Sequence, residues 1–139
     1  MSLSIVIAVY NKPEVLRLVL EAYARQSRTD FEILVADDGS GAQIADTIRE
    51  FEARSPVPIR HLWHEDHGWR KNVMLNTAIR EAQTDYLVFA DGDCVPHRHF
   101  VRDHAEHRSD GNFLCGRRAE MSERWSRALT VQSIRSGSF

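Results

Sequence analysis

Asp91 and Asp93 flank a single glycine directly after the apolar run Tyr86-Leu87-Val88-Phe89-Ala90. Gly92 permits a tight turn and lets a ligand approach the backbone closely. Two carboxylates at that spacing can face one hard divalent cation, and their oxygens suit Mn2+ or Mg2+. Such an ion keeps positions open for phosphate oxygens and neutralises the charge that builds on a departing diphosphate. A solvated loop carrying two acids is the plainer alternative. The position at the end of a strongly apolar segment favours the metal site.

A second acidic pair, Asp37-Asp38, closes the run Phe31-Glu32-Ile33-Leu34-Val35-Ala36 and precedes Gly39-Ser40. One of these carboxylates can accept a hydrogen bond from a base N–H or a ribose hydroxyl. An Asp before Gly-Ser is equally favoured as a local turn cap, and the residues alone leave both readings open. Gly68-Trp69-Arg70-Lys71 is expected to open a helix, and a helix amino end bearing Arg and Lys is a ready anion site. Basic charge there opposes the helix dipole, which favours a functional reason for it. The seven histidines include the close pairs His97/His99 and His104/His107, without a Cys-x-x-Cys or His-Glu-x-x-His framework. They read as solvated or core side chains, and Cys94 and Cys115 as reduced, buried thiols.

The elements that must position these groups alternate between short apolar runs and longer amphipathic ones. Strands are predicted over 4–10, 31–36, 59–63 and 86–90, with a further one at 113–115. Helices are predicted from Pro13 to about Gln26, over 43–53, from about Trp69 to Ala82, from Pro96 to about His107, and over 120–132. Pro13 suits a first helical turn, and Val15, Leu16, Val19, Leu20 and Tyr23 recur at helical spacing. Strand and helix in alternation imply an α/β fold with a mostly parallel sheet flanked by helices. Ligands bind such sheets beyond the carboxyl ends of the strands. Three polar strand ends then converge: Tyr10-Asn11, Asp37-Asp38 and Asp91-Gly92-Asp93.

Bulk properties set wider limits. At 139 residues, with 42% hydrophobic and 27% charged residues, the chain suits one soluble globular domain over 1–139. A formal net charge of -2 does not mark a nucleic-acid binder. No apolar run approaches the ~20 residues of a membrane helix. No signal peptide is expected, since the first apolar stretch runs into Asn11-Lys12-Pro13, so the expected location is cytoplasmic. Met1-Ser2-Leu3 is given no structural weight.

The ordered set of motifs resembles the family 2 glycosyltransferases. Ser4-Ile5-Val6-Ile7-Ala8-Val9-Tyr10-Asn11 and Ile33-Leu34-Val35-Ala36-Asp37-Asp38-Gly39-Ser40 are similar to that family's opening. Glu65 to Arg70, Asn76 to Ile79, Tyr86 to Pro96 and Phe113 to Arg117 resemble its galactosyltransferase and chondroitin-synthase-like branch. The resemblance implies a GT-A, Rossmann-like nucleotide-diphospho-sugar transferase fold and an inverting transferase. It implies a nucleotide-sugar donor, most commonly a UDP-sugar, and a glycan or other hydroxyl acceptor. Backbone around Ala8 to Tyr10 would cradle the base, and Asp38 would bond it. Asp91 would approach ribose and metal, Asp93 would ligate the metal, and Arg70 and Asn76 would lie near the sugar-phosphate. Where the family usually carries Arg before that asparagine, this chain has Leu75, and Lys71 one turn earlier is a candidate for the missing charge. The family's C-terminal acceptor half, with its catalytic base, has no recognisable counterpart before Phe139, so no catalytic residue is assigned. Donor binding is expected to exceed transfer, and peripheral membrane association would need further segments or partners.

Two rival classes fit parts of the pattern. Asp91-Gly92-Asp93-Cys94-Val95 matches the nucleophile motif of haloacid-dehalogenase-like phosphatases, and the strand ends at Asp37-Asp38 and Asp91 match a receiver-type signalling domain. Both need a lysine downstream, and no lysine follows Asp93.

Overall fold

A computed structural model describes residues 1–138. Four parallel strands form one sheet: β1 (Leu3–Val9), β2 (Phe31–Asp37), β3 (Ile59–Trp63) and β4 (Leu87–Asp91), in the order β3-β2-β1-β4. Every residue of β1 and β2 is buried, as continuous β-branched and aliphatic runs demand in a sheet covered on both faces. Alternation along β1 feeds two cores. Leu3, Ile5, Ile7 and Val9 pack with α1 (Pro13–Ala24) and α2 (Ala42–Glu52) through Leu16, Leu20, Tyr23, Ile44, Ile48 and Phe51. Val6, Leu34 and Ala36 pack on the other face against Met74 and Ala78 of α3 (Lys71–Glu81). The predicted α/β architecture is thus the observed one.

The first three helices fall close to expectation. Pro13 occupies the first turn of α1, where a missing N–H leaves nothing unsatisfied. Departures concentrate at the two ends of the chain. Leu3 is fully buried and pairs with Phe31, so the first strand starts inside the segment given no weight. The fourth helix, α4 (Phe100–His107), starts at Phe100 rather than Pro96. Phe113–Cys115 forms no strand. The four residues between Gly111 and Gly116 are a short run, and Phe113 is 87% exposed. The helix expected over 120–132 is two short ones, α5 (Glu123–Ala128) and α6 (Val131–Ser136). Thr130 divides them. Its backbone is extended, and its side chain caps α6 in a reciprocal box with Ser133. The two thiols are free as expected, but Cys94 is only half-buried and Cys115 is exposed. Among the described residues no helix is long and apolar enough to cross a membrane.

The chain's carboxyl end is held by one buried acid. Glu21 of α1 is 2% exposed and accepts from Arg54 and, at 3.0 Å through both oxygens, from Arg135 of α6. Arg25 donates to the carbonyl of Ile134, which is itself fully buried. Burial pushes the Glu21 carboxyl up, but the hydrogen bonds from Arg135 and Arg54 outweigh it and hold the group below its ordinary range. A carboxyl depressed in the folded state adds stability that is complete above the unfolded-state value and is lost as pH falls through the folded one. Glu21→Gln is expected to cost about 1–3 kcal/mol at neutral pH in urea unfolding, with a smaller loss of stability between neutral and acid pH than the native chain shows.

Candidate functional site

The site is built where β1 leaves the sheet. The carbonyl of Ala8 accepts the Gly92 N–H at 2.8 Å, and the carbonyl of Val9 accepts the Asp38 N–H at 3.0 Å. Both acidic loops are thereby tied to one strand end. Gly92 has a steric reason as well, since a Cβ there would stand 2.9 Å from the Ala8 carbonyl oxygen and 3.0 Å from Val9 Cγ2. Asn11 and Lys12 follow with left-handed backbone (φ 56° and 59°), uncommon for residues other than glycine. That turn carries the Asn11 N–H to Ser40 Oγ at 2.7 Å and the Asn11 side chain to the Gly41 N–H at 3.2 Å.

These loops enclose a cavity of about 330 Å³ lined by Ala8, Val9, Tyr10, Asn11, Lys12, Asp38, Asp66, Gly68, Trp69, Lys71, Asp91, Gly92, Asp93 and Arg118. The three strand ends expected to converge do so, and Ala8, Tyr10, Asp38, Asp91 and Asp93 share one space. Arg70 and Asn76 do not line it. The Arg70 guanidinium donates to the Glu65 carbonyl at 3.0 Å, while its backbone N–H reaches Asp38 Oδ2 at 2.9 Å. Asn76 lies on an exposed face of α3.

The two acids ending β2 differ in setting. Asp37 is fully buried. Its Oδ1 accepts the Ser40 N–H at 2.8 Å, and its Oδ2 meets His61 Nε2 at 2.7 Å. Asp38 is 7% exposed and faces the cavity, with Oδ1 at 2.7 Å from His64 Nε2. Each carboxylate oxygen has a second acceptor direction, so these bonds leave Asp38 capacity for a ligand donor.

Asp91, Asp93 and Cys94 offer donor atoms that all lie within 4.8 Å of one another. Burial, reinforced by the charges of Asp93 and Asp91, pushes the Cys94 thiol up. The two carboxylates are hard donors that fit Mn2+ or Mg2+. Lys71 Nζ donates to Asp91 Oδ1 at 2.6 Å, and Lys12 Nζ stands 3.9 Å from Asp93 Oδ2.

Across the cavity Tyr10 donates to Asp66 Oδ2 at 2.9 Å, and Asp66 Oδ1 accepts the Gly68 N–H at 2.9 Å. The Gly68 N–H, with the Tyr10 hydroxyl, holds the Asp66 carboxyl below its usual range, and the bond to Asp66 raises the Tyr10 phenol. Gly39, at φ 90°, packs so closely that a Cβ would stand 2.6 Å from Asp66 Cα. Trp69 is 88% exposed at the rim. Arg118 and the two histidines behind the acids carried no sequence signal for the site, while Asp66 and Trp69 lay in the Glu65 to Arg70 stretch without a role of their own. The polar loop 64–68 was legible as a loop, but its contact with Gly39 depends on the tertiary fold.

One strand end of a parallel α/β sheet thus carries an acidic pair and a second buried acid around a single cavity. Residues 4–136 match the family described as Glycosyl transferase family 2, and the chain belongs to that family. It is 34% identical over 105 residues to chondroitin synthase of Escherichia coli, covering 75% of this chain and 15% of that protein. The chain therefore spans a small part of the length of the relatives it matches. Staphylococcus aureus TarS 1-349, solved in complex with UDP-GlcNAc, superposes with a TM-score of 0.64 at 23% identity, over 76% of this chain and 30% of that one. The Pyrobaculum calidifontis mannosyltransferase PcManGT, solved with GDP-Man and Mn2+, does so with a TM-score of 0.61 at 24% identity, over 70% and 29%. The fold is the GT-A type expected from the motifs.

Asp37, buried with both oxygens engaged, is a fold residue in this geometry. Asp37→Ala strands the Ser40 N–H and is expected to lower unfolding free energy by about 1–3 kcal/mol, measured by chemical denaturation.

Proposed function

We propose that this chain binds the donor of a family 2 glycosyltransferase, a UDP-sugar, and serves its transfer with inversion to a glycan or other hydroxyl acceptor. The observation that carries this reading is the meeting of Asp38, Asp91 and Asp93 in one cavity at the end of β1. Asp38, held by His64 and the Arg70 N–H, would accept from the uracil N–H. Backbone from Ala8 to Tyr10 would cradle the base. Asp91 and Asp93 would hold Mn2+ or Mg2+, which when bound would neutralise charge on the departing diphosphate. In this reading Arg70 acts through its backbone on Asp38, and Asn76 keeps only the sugar-phosphate role that the family pattern suggests. TarS bound to UDP-GlcNAc supports the uridine nucleotide, and the Mn2+ in PcManGT supports the ion. The family match and the structural neighbours support neither the phosphatase nor the receiver alternative.

Calorimetry of UDP, GDP and uridine with and without Mn2+ tests the reading. UDP is expected to bind more tightly with Mn2+, and Asp93→Asn to remove most of that gain while the protein stays folded. Asp38→Ala is expected to weaken uridine and UDP alike by about 1.5–3 kcal/mol, the size of one hydrogen bond to a charged group. Mn2+-dependent UDP affinity unchanged in folded Asp93→Asn would remove the metal assignment, and tighter GDP than UDP binding would replace the nucleotide.

A further inference from the structure

Eighteen residues carry Lys or Arg side chains, and only Lys12 and Lys71 are lysine. Both stand at the acidic pair, Lys71 at 2.6 Å from Asp91 and Lys12 at 3.9 Å from Asp93. Structural carboxylates away from the cavity are paired instead by arginine, often two-pronged: Arg28 grips both oxygens of Asp30, and Arg135 both oxygens of Glu21. The difference is chemical. A guanidinium fork locks a carboxylate through two bonds, whereas an ammonium is a compact charge on a flexible stem that engages one oxygen and leaves readily. The exposed Lys12 pair contributes little by itself. The Lys71 pair is shorter, half-buried, and set at the first residue of α3, facing the same cavity.

Resting on the donor-site reading above, we propose that Lys71 is the resident counter-ion of Asp91, displaced when a divalent ion binds and received by the diphosphate of the nucleotide. An ammonium so close to Asp91 Oδ1 repels a divalent ion arriving at that carboxylate. Metal alone must therefore displace this ammonium without supplying it a new anionic partner. A nucleoside diphosphate supplies that partner: the ion takes the carboxylates and the ammonium takes a phosphate oxygen. Metal and nucleotide then bind cooperatively, each raising the other's affinity by the same factor.

The test is Mn2+ binding to the full chain, read by the electron paramagnetic resonance of free Mn2+, without UDP and with saturating UDP. The native chain is expected to bind Mn2+ more tightly when UDP is present. Lys71→Met is expected to bind Mn2+ alone at least about fivefold more tightly than the native chain, and to lose a comparable part of the gain from UDP. Lys71→Arg, with its firmer grip on Asp91, is expected to bind Mn2+ alone more weakly than the native chain. Lys71→Met that binds Mn2+ alone no better than native overturns the counter-ion role, as does Lys71→Arg that binds it more tightly. With native Mn2+-dependent UDP binding intact, either result leaves the donor site standing. A native chain that binds UDP neither with nor without Mn2+ overturns both.

Discussion

Two backbone carbonyls at the end of β1 hold the candidate site together. Ala8 accepts from Gly92 and Val9 from Asp38, so the Asp91/Asp93 loop on one side and the second acid on the other are fixed to adjacent carbonyls of one strand end. This follows from strand order. β1 lies between β2 and β4, in register Val9 with Asp37 and Ala8 with Asp91. A one-residue slip of either neighbour would move its side chains to the opposite face of the sheet. The two faces pack different residue sets against different helices, so such a slip would mismatch both cores, and the site inherits its spacing from the strand register.

Polar groups behind the site are satisfied in layers. His61 and the Ser40 N–H hold Asp37, while His64 and the Arg70 N–H hold Asp38. The loop from His64 to Arg70 is therefore fastened at both ends to Asp38, the residue that follows β2. Its middle is fastened by Asp66, which accepts from Tyr10 and Gly68 and packs against Gly39. An unpaired carboxylate at this depth would carry a desolvation penalty of several kcal/mol, which explains why two histidines stand where β3 ends.

Much of this was legible in the sequence. Apolar runs of strand length marked all four strands, and Asp91-Gly92-Asp93 and Asp37-Asp38 marked their ends, because strand burial and the loss of it are encoded locally. The division of labour between Asp37 and Asp38 was not legible, because it depends on His61 and His64, which reach them from another strand and the loop beyond it. Lys71 was visible as a charge near the site, but its pairing with Asp91 spans twenty positions. The region after α4 was misread most. Phe113-Leu114-Cys115 has strand composition but no partner strand, and a sheet element exists only through its partner. The single helix expected over 120–132 is interrupted by a Thr130 cap whose signal, Thr followed three residues later by Ser, is weaker than the usual Glu or Gln.

The two halves of the cavity differ in rigidity, and the difference matches the tasks proposed for them. Asp38 is 7% exposed, closes a fully buried strand, and has both oxygens held. A group in that state is preorganised, so a planar base meets an acceptor whose position needs no further ordering on binding. Asp91 and Asp93 instead end the partly exposed edge strand β4, beside α3, which buries only Met74 and Ala78. Their side-chain contacts to the lysines are one hydrogen bond from Lys71 to Asp91 and a looser ion pair of Lys12 with Asp93, rather than bonds from buried backbone N–H groups. Elements with few buried contacts lie at the low end of local stability and adjust at small cost. In the proposed reading, a diphosphate and a divalent ion would need such adjustment as charge builds on the leaving group. The fold would then place a rigid acid where a flat ring needs fixed geometry, and its looser acids where charge would move.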